Sequence, residues 1–554
     1  MEAPAQTTNL WELLAASARD LPGEVCLRDD HRELSFREVQ NQALGLAAGL
    51  AASGVSRGDR VAIISRNRWE MAVLTFATLR LGAVVLPVNW RLRHSEVSYI
   101  LDDAGAALVF VEDDLLPGLE SCLAQAGEER RWCVIGNQPG AATADSGAGS
   151  MAELLAISHE LEGARAEPDE LAVLMYTSGT TGRPKGAMLS HANLLAMTRS
   201  WLEEMPLSPG RDRFLQVTPL FHVGGLLMLM STVCAGVPMR LLPEFLPGPA
   251  LDCIEAERIS HALFVPAMVR WMLDHLQHQP SPPSARTNDL EGHALEPRDF
   301  SSLRMIIYGA APMPVDHLRS AMQLFGCTFL QGYGLTETSG VLTTLRPDDH
   351  NMPQHGSLPL RLSAAGRAVS CCEVCVVAED GSQIPPFAGE LGEAVIGEVV
   401  ARGDNVSCGY WNNQTESAAC MQAGWFHTGD AASIDEDGYI YIVDRIKDML
   451  CVAGENVYPR EVELALVEHE GVAEAAVIGI PHDLWGEEVL AVVVPAAHEE
   501  PAARELIQHC RAHLARFKCP TRVSFVAELP RNAAGKIQKQ ILRAPHWEGR
   551  ERRV

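Results

Sequence analysis

The chain has 554 residues and a formal charge of −26, from 45 basic and 71 acidic side chains. Its length exceeds the roughly 250 to 300 residues at which one hydrophobic core stops growing, so at least two domains are expected. The acidic surplus repels phosphate backbones and argues against nucleic acid as a partner; an anionic ligand must be held by backbone amides and a few local cations.

The N-terminus and the cysteines predict a cytoplasmic protein. The first residues lack the basic and apolar regions of a secretory signal. Fourteen scattered cysteines without a signal favour reduced thiols. Cys372 and Cys375 form a CxxC, but they lie on a predicted strand that sends them to opposite faces, which disfavours a zinc site. The apolar run 221–238 contains a histidine and glycines and is interpreted as a buried helix, so no transmembrane segment is expected.

The first third of the chain alternates helical stretches with short apolar runs such as "RVAIIS" at 60–65. This alternation is typical of βα units on a mainly parallel sheet. The segment 136–153, rich in glycine and alanine, is predicted to be a surface connection. The segment 277–299, rich in proline, serine and charge, is predicted to be an exposed loop or insertion that could also act as a lid.

After residue 444 the pattern changes to α+β. Amphipathic helical stretches at 459–469 and 503–517 flank apolar strands, and about 110 residues suffice for a small domain. The predicted fold class is therefore α/β, with a large N-terminal domain of βα-type subdomains at 1–444 and a small mobile α+β domain at 445–554.

The stretch "YTSGTTGRPKG", residues 176–186, follows an apolar strand at 171–177. Pro184 precedes Lys185, and the next helix is predicted to begin later, capped by Ser190, so this is not a Walker A loop. Glycines let backbone amides curl round an anion, hydroxyls add donors, and a lysine adds charge. These residues predict a phosphate cradle made of Thr177, Ser178, Gly179, Thr180, Thr181, Gly182 and Lys185.

Six further motifs follow in order. They are "YGAAPMP" from residue 308, "QGYGLTET" from 331, "WFHTGD" from 425, "DRIKDML" from 444, "GENVYP" from 454 and "PRNAAGKIQK" from 530. With the loop at 176–186 they resemble the adenylate-forming superfamily of acyl-CoA synthetases, adenylation domains and luciferases, over about residues 25 to 543. The pattern looks most like bacterial fatty-acyl-CoA synthetases.

The resemblance implies that a carboxylate is activated with ATP and Mg²⁺ to an acyl-adenylate, with release of pyrophosphate. The loop at 177–185 would grip the β- and γ-phosphates, and Lys536 would offset the charge that builds up between carboxylate and α-phosphate. The remaining nucleotide contacts implied are Tyr333 and the edge Gly309, Ala310 and Ala311 at adenine, Thr336 at the α-phosphate, Glu337 with Thr177 at Mg²⁺, and Asp430 with Arg445 at the ribose.

A second half-reaction transfers the acyl group to coenzyme A. The resemblance implies that the C-terminal domain rotates about Lys447 and that the loop containing Gly454 lines the pantetheine tunnel. Trp485 and Phe517 would pack against the coenzyme A nucleotide. His222 would gate the path between carboxylate and thiol.

The acid itself is predicted to be hydrophobic. Gly334 stands where relatives that use short acids carry an aromatic residue, so we expect it to leave the acyl pocket open. The wall candidates are all apolar and offer no partner to an amino-acid ammonium; they are Phe221, Val223, Gly224, Met228, Met230 and Val341. A medium- to long-chain fatty acid or a related acid fits best.

Alternatives from other classes remain. An acyl-AMP ligase could load a carrier-protein thiol, an aryl or cyclic acid could be the substrate, and a homodimer is possible. Glu337, Asp430 and Lys536 are all present, which argues against a protein that merely binds a nucleotide.

Overall fold

A computed structural model describes the fold. The described residues are 7–119, 122–123, 131–136, 149–157, 166–177, 183–278, 298–311, 313–351, 360–388, 394–452, 455–482, 485–496, 501–531 and 537–548. The predicted loop at 277–299 lies largely outside them, as do Ser178, Gly179, Thr180, Thr181, Gly182, Gly454 and Lys536.

The helices and strands alternate through most of the chain. The helices are α1 (Trp11–Asp20), α2 (Phe36–Ala52), α3 (Trp69–Arg80), α4 (His94–Ala104), α5 (Met151–Leu155), α6 (His191–Glu204), α7 (Val223–Ala235), α8 (Pro247–Ala256), α9 (Pro266–His278), α10 (Val315–Phe325), α11 (Gln414–Cys420), α12 (Pro459–Val467), α13 (Ala503–His513) and α14 (Lys539–Arg543). The strands up to residue 264 are β1 (Val25–Arg28), β2 (Glu33–Ser35), β3 (Arg60–Ile64), β4 (Val84–Val88), β5 (Ala106–Glu112), β6 (Trp132–Ile135), β7 (Gly149–Ser150), β8 (Leu171–Thr177), β9 (Lys185–Ser190), β10 (Phe214–Gln216), β11 (Met239–Leu241) and β12 (His261–Phe264). The later strands are β13 (Met305–Gly309), β14 (Thr328–Tyr333), β15 (Thr343–Leu345), β16 (Arg367–Ala368), β17 (Cys372–Val377), β18 (Gly397–Gly403), β19 (Met421–Gln422), β20 (Trp425–Ile434), β21 (Ile440–Arg445), β22 (Leu450–Val452), β23 (Glu455–Val457), β24 (Val472–His482), β25 (Gly486–Pro495) and β26 (Arg522–Phe525).

Two large sheets carry the N-terminal part. One has the order β7-β6-β5-β3-β4-β8-β9 and is parallel except for the β8–β9 hairpin. The other has the order β16-β15-β14-β13-β12-β10-β11-β1-β2, with antiparallel strands only at its two ends. The α/β class predicted from the alternating pattern is confirmed.

Burial on both faces explains why the central strands are nearly continuous apolar runs. In β3, Val61 and Ile63 belong to one hydrophobic cluster, and Ala62 and Ile64 belong to another on the opposite face. β13 is divided in the same way between two clusters. A run that is apolar at every position is therefore what a central parallel strand requires here.

Helix ends follow local capping chemistry. Ser190 precedes α6, and its hydroxyl accepts a hydrogen bond from the Asn193 amide at 3.1 Å, as the sequence predicted. The apolar run near residue 230 forms α7, which is almost wholly buried and ends at Gly236 with φ 69°. Among the described residues no helix is both long and apolar enough to cross a bilayer.

The chain separates into two compact units that interleave along the sequence. The larger unit takes Met1–Glu373 and Ala401–Phe426, and the smaller takes Val374–Val400 and His427–Val554. A five-stranded sheet of order β17-β18-β20-β19, with β21 also paired to β20, contains the points where the chain passes from one unit to the other. The single boundary expected after residue 444 stays a prediction.

The smaller unit has its own sheet and core. Its strands have the order β23-β22-β25-β24, and β26 pairs with β25 in parallel. The helices α12 and α13 cover this sheet through a shared apolar cluster that includes Val462, Leu466, Leu506 and Cys510. This α+β arrangement is the class of domain that the sequence after residue 444 predicted.

Candidate active site

The predicted phosphate cradle is attached to the β8–β9 hairpin. Thr177 ends β8 and faces Lys185, the first residue of β9, across the ladder. The Thr177 hydroxyl lies 3.5 Å from the Lys185 carbonyl oxygen. Since β8 is parallel to β4, the connection between Thr177 and Lys185 starts from a carboxyl end of the parallel sheet, the edge at which α/β proteins bind ligands.

Lys185 is held in place by two neighbours in the same unit. Its Nζ lies 2.5 Å from Oε2 of Glu416 and 5.6 Å from the ring centroid of Tyr410. The lysine side chain is only 9% exposed. Glu416 lies in the first turn of α11, where the Asn413 side chain caps the helix. The ammonium is therefore positioned before any phosphate binds.

Glu337 lies in a short 3₁₀ turn at Thr336–Thr338, directly after β14. Its side chain is 7% exposed, and its Oε1 accepts a hydrogen bond of 2.7 Å from the Tyr410 hydroxyl. The turn is further fixed by the Asn405 amide, which donates to the carbonyls of Thr338 and Val341. Burial and then the neighbouring carboxylate raise the pKa of Tyr410, so it stays a proton donor.

The residues at Glu337 fit a hard divalent cation. Tyr410 holds Oε1, and among the described residues no hydrogen bond is made to Oε2. A buried carboxylate with one oxygen fixed and the other available suits Mg²⁺, which prefers oxygen ligands. Thr177, the second predicted ligand, is half buried at the end of β8.

The predicted adenine edge lies at the ends of two adjacent parallel strands. Gly309 pairs with Gly332, and a Cβ on Gly309 would lie 2.3 Å from the Gly332 carbonyl oxygen, so glycine is required. Ala310 has the left-handed φ of 64° and is exposed, like Ala311. A non-glycine residue in this conformation stores local strain of the kind found at ligand sites. Tyr333, half buried, ends the neighbouring strand β14.

The predicted acyl region lies around the start of α7. His222 is the half-buried residue before the helix, with its ring 4.7 Å from that of Phe221. The wall candidates Phe221, Met228, Met230 and Val341 belong to the main apolar core, whereas Val223 and Gly224 keep partial exposure. Only the latter two retain exposed surface, and the assignment of the six residues to the acyl wall stays a prediction.

The interpretation of Gly334 was wrong. A Cβ at this position would lie 2.5 to 2.9 Å from backbone atoms of Gly340 and Val341. Glycine is therefore needed for close approach of two backbone segments, and its presence does not report an open acyl pocket. Gly332 is different, because a Cβ there would meet side-chain atoms of Val341 and Trp201 at 3.5 to 3.7 Å, an ordinary contact.

The two residues predicted to bind the ribose lie side by side in the smaller unit. Asp430 and Arg445 face each other across the antiparallel β20–β21 pair, and Arg445 Nε lies 2.6 Å from Asp430 Oδ1. Asp430 is 3% exposed, and its amide donates to the Thr428 hydroxyl at 3.1 Å. A fixed carboxylate of this kind can accept hydrogen bonds from vicinal hydroxyls.

The predicted hinge is tied to the C-terminal helix of the same unit. Lys447 is exposed in a 3₁₀ turn at Ile446–Asp448. The next residue, Asp448, pairs with Arg543 of α14 at 3.1 Å. The Arg460 amide donates to Asp444 at 2.7 Å, just before the turn.

Lys536 lies outside the described residues, but the chain on either side of it is anchored. Arg531 and Ile537 form an antiparallel bridge, and the Gln538 amide donates to the Pro530 carbonyl at 2.7 Å. Lys539 pairs with Glu463 of α12 at 2.8 Å. Burial alone would lower the pKa of Lys539, but Glu463 and nearby carboxylates outweigh it and raise that pKa.

Trp485 and Phe517, predicted to pack against the coenzyme A nucleotide, are exposed. Trp485 is 45% exposed and stacks on His482 with ring centroids 4.3 Å apart. Phe517 is 38% exposed, beside Lys518. Lys518 Nζ is paired with Glu461 at 2.7 Å, so a phosphate would have to compete with a carboxylate for it.

Sequence reasoning missed Tyr410 and Glu416. Both lie in "GYWNNQTE", residues 409–416, which carries a tyrosine, amides and an acid in a turn-rich stretch but was given no role. The pairing of Tyr410 with Glu337 spans 73 residues and that of Glu416 with Lys185 spans 231. A tyrosine beside glycine in a polar segment was the available signal.

The chain matches two family descriptions. Residues 14–411 match "AMP-binding enzyme", and residues 461–536 match "AMP-binding enzyme C-terminal domain". The two matches cover most of the chain and include the phosphate loop, the Glu337 turn and Lys536.

Relatives resemble the chain over nearly its whole length. A fatty acid–[acyl-carrier-protein] ligase of Streptomyces coeruleorubidus is 35% identical, covering 99% of this chain and 98% of the relative. A long-chain-fatty-acid–CoA ligase of Mycobacterium tuberculosis is 35% identical, covering 92% of each. The solved structure of o-succinylbenzoate CoA synthetase from Bacillus subtilis, in complex with its acyl-adenylate, has a TM-score of 0.78 and 28% identity, covering 97% of this chain and 98% of that one.

Proposed function

The chain belongs to the AMP-binding enzyme family and is an acid–thiol ligase that works through an acyl-adenylate, and on that premise we propose that it joins a medium- to long-chain fatty or related hydrophobic acid to coenzyme A. ATP is the energy source. What we propose is the identity of the acid and of the thiol that accepts the acyl group.

The proposed roles follow the geometry of each unit. Lys185 and the loop that begins at Thr177 grip the outer phosphates, and Thr336 contacts the α-phosphate. Glu337 holds Mg²⁺, whose charge would offset the phosphate oxygens when it is bound. Asp430, oriented by Arg445, accepts the ribose hydroxyls.

Bond formation is assigned to Lys536. The carboxylate and the α-phosphate are both anions, so charge accumulates between them as the bond forms. A lysine ammonium placed there stabilises that charge. Thioester formation then needs room at the same carbonyl, and rotation of a domain at 445–554 about Lys447 would supply it. Gly454, Trp485 and Phe517 are proposed to contact coenzyme A, and His222 to gate the thiol.

One observation carries the choice of acid: the predicted wall residues Val341 and Val223 lie against Gly332 and Gly340, which we therefore assign to the acyl region. The nearest side-chain atoms around Gly332 and Gly340 belong to Trp201, Val341, Val223 and Leu227. None of these four side chains carries a charge that could offset an ammonium or a second carboxylate, and burying such a charge unpaired is costly. A hydrophobic acyl chain or ring is favoured over an amino acid.

The test is acid-dependent formation of AMP and acyl-CoA across a panel. The panel contains saturated acids from acetate to palmitate, aryl acids such as benzoate and phenylacetate, and an amino acid. We expect the highest kcat/KM with acids of medium or longer chain. A preference for acetate or for the amino acid would contradict the proposal, and a preference for an aryl acid would replace the fatty acid by the cyclic alternative.

A carrier-protein thiol is the second candidate acceptor. The similarity to a fatty acid–[acyl-carrier-protein] ligase over 99% of the chain favours it. Purified enzyme is given ATP, a preferred acid, and either coenzyme A or a phosphopantetheinylated carrier protein. Acyl-AMP that accumulates with coenzyme A and is consumed only by the carrier would establish this alternative. A cytoplasmic location and a homodimer stay predictions.

A further inference from the structure

The smaller unit presents a cluster of possible metal ligands that the ligase reaction does not use. Glu468 follows α12 directly, and His509 and His513 are four residues apart on α13. One ligand atom from each of the three lies within 4.8 Å of the others. Glu468 and His513 are exposed and His509 is half buried, so an ion could enter from solvent.

Hydrogen bonds to the backbone orient both imidazoles. His509 Nε2 lies 2.9 Å from the Ala465 carbonyl oxygen, and His513 Nδ1 lies 2.8 Å from the His509 carbonyl oxygen. A carbonyl only accepts, so each of these nitrogens carries a proton, and a metal would bind the neutral form of the ring. The other nitrogen of each ring then has its lone pair available. Metal-binding histidines are usually fixed by this kind of outer contact.

Two further residues, His469 and Glu505, lie beside the three possible ligands. His469 is not available as a ligand, because its Nδ1 accepts the Gly471 amide at 3.1 Å and its Nε2 lies 3.5 Å from Glu505. Its ring packs edge-on against that of His509 at 5.2 Å and restrains it. Glu505 lies one helical turn before His509 and adds negative charge, which favours a cation.

We propose that Glu468, His509 and His513 form a site for a divalent transition-metal ion of the zinc class, with solvent completing the coordination. Two imidazoles and a carboxylate suit Zn²⁺, Ni²⁺ or Cu²⁺, whereas Mg²⁺ prefers oxygen ligands alone. The ion would link the end of α12 to α13, two helices that already share an apolar cluster. Binding to the folded state would stabilise this unit.

The test is calorimetric titration of Zn²⁺ into the full chain, prepared without a polyhistidine tag. Three variants are compared with the parent: His513→Gln, Glu468→Gln and, as a control, His546→Gln, another exposed histidine of the same unit. Loss of an outer contact typically costs about 10- to 100-fold in affinity, so loss of a ligand should weaken binding at least about tenfold. The control should bind like the parent.

A second measurement separates this site from the cysteines. Co²⁺ bound to nitrogen and oxygen gives visible bands without the sulfur-to-cobalt charge-transfer band that thiolates produce. We expect those visible bands in the parent and in His546→Gln, and their loss in His513→Gln. The proposal is overturned by absence of Zn²⁺ binding, by parent-like Zn²⁺ affinity in His513→Gln and Glu468→Gln, or by a sulfur band as the main signal.

Discussion

The Tyr410 hydroxyl donates a 2.7 Å hydrogen bond to the Glu337 carboxylate, and both groups lie in the same unit as the β8–β9 hairpin. This contact fixes one oxygen of the carboxylate expected to bind Mg²⁺. Tyr410 is thus a positioning residue, since it acts through Glu337.

Tyr410→Phe should therefore impair adenylation mainly through Mg²⁺. A hydrogen bond to a charged group contributes about 1.5 to 3 kcal/mol, so kcat/KM for adenylation should fall roughly 10- to 100-fold. The Mg²⁺ concentration for half-maximal pyrophosphate exchange should rise, which a purely structural defect would not cause. Tyr441→Phe is the control, because it removes a 2.9 Å tyrosine–carboxylate bond elsewhere. An unchanged Mg²⁺ requirement in Tyr410→Phe would contradict the role.

The Lys185–Glu416 pair should weaken when nucleotide binds. Without nucleotide, the ammonium and the carboxylate are 2.5 Å apart and partly buried. A double-mutant cycle with Lys185→Met and Glu416→Gln should give a coupling of about 1 kcal/mol in the free energy of unfolding. With a saturating non-hydrolysable ATP analogue that coupling should shrink, because Lys185 then faces phosphate. Equal coupling in both conditions would mean that Lys185 does not move to the nucleotide.

Much of the fold could be predicted from local sequence. Strands buried on both faces appear as continuous apolar runs, as β3 and β13 do, and Ser190 capped the helix expected after the phosphate loop. These features depend on neighbours in sequence. The buried helix α7 was also predicted correctly, because it is apolar at almost every position.

The remaining features depend on distant contacts. Gly334 is required by the backbone of Gly340 and Val341, an approach that no spacing in the sequence reveals. The roles of Tyr410 and Glu416 depend on partners that lie 73 and 231 residues away in the sequence. Family motifs pointed to Glu337 and Lys185 without indicating what holds them.

Lys539→Met should impair one half-reaction only. Lys539 ties the chain just after Lys536 to Glu463 on α12. Without that tether, formation of acyl-AMP should slow by roughly 10- to 100-fold, since a misplacement of about 1 Å can cost up to about 100-fold. Thioester formation from supplied acyl-AMP should be nearly unchanged, because Lys536 is expected to act only in adenylation.

Two further variants distinguish loss of the tether from misfolding of the unit. Lys539→Met with Glu463→Gln removes both charges, so no buried carboxylate is left unpaired, yet the tether is still lost. Arg522→Met breaks the 2.9 Å pair with Glu488 in the same unit and should leave both half-reactions intact. Equal losses in both half-reactions for the double variant would refute the tether.

Two glycines two residues apart should respond differently to alanine. At Gly334 the new Cβ would meet backbone at 2.5 Å, so Gly334→Ala should lower the free energy of unfolding by about 1 to 3 kcal/mol. At Gly332 it would make ordinary contacts with Trp201 and Val341. Gly332→Ala should keep stability but shift the preferred acid toward shorter chains in the panel assay. The reverse pattern would contradict the assignment of Gly332 to the acyl region.

The stability of the larger unit should fall as pH is lowered from 6.5 towards 4, in part through His191. This ring is fully buried, and its Nδ1 accepts the Leu10 amide at 3.2 Å. Burial lowers its pKa from 6.5 to about 4, with Glu170 opposing and Arg57 adding to the effect. Because the folded pKa is depressed, the unfolded chain takes up the proton first, and stability is lost as pH falls below 6.5.

Urea unfolding at pH 7 and pH 5 measures this contribution. By pH 5, His191 alone should account for about 2 kcal/mol of the loss in the free energy of unfolding. His191→Gln should reduce the loss by that amount, whatever its stability at pH 7, because glutamine can still accept the Leu10 amide and does not titrate. His31→Gln, at an exposed histidine of the same unit, should behave like the parent. Identical losses in His191→Gln and the parent would show that another group carries the pH dependence.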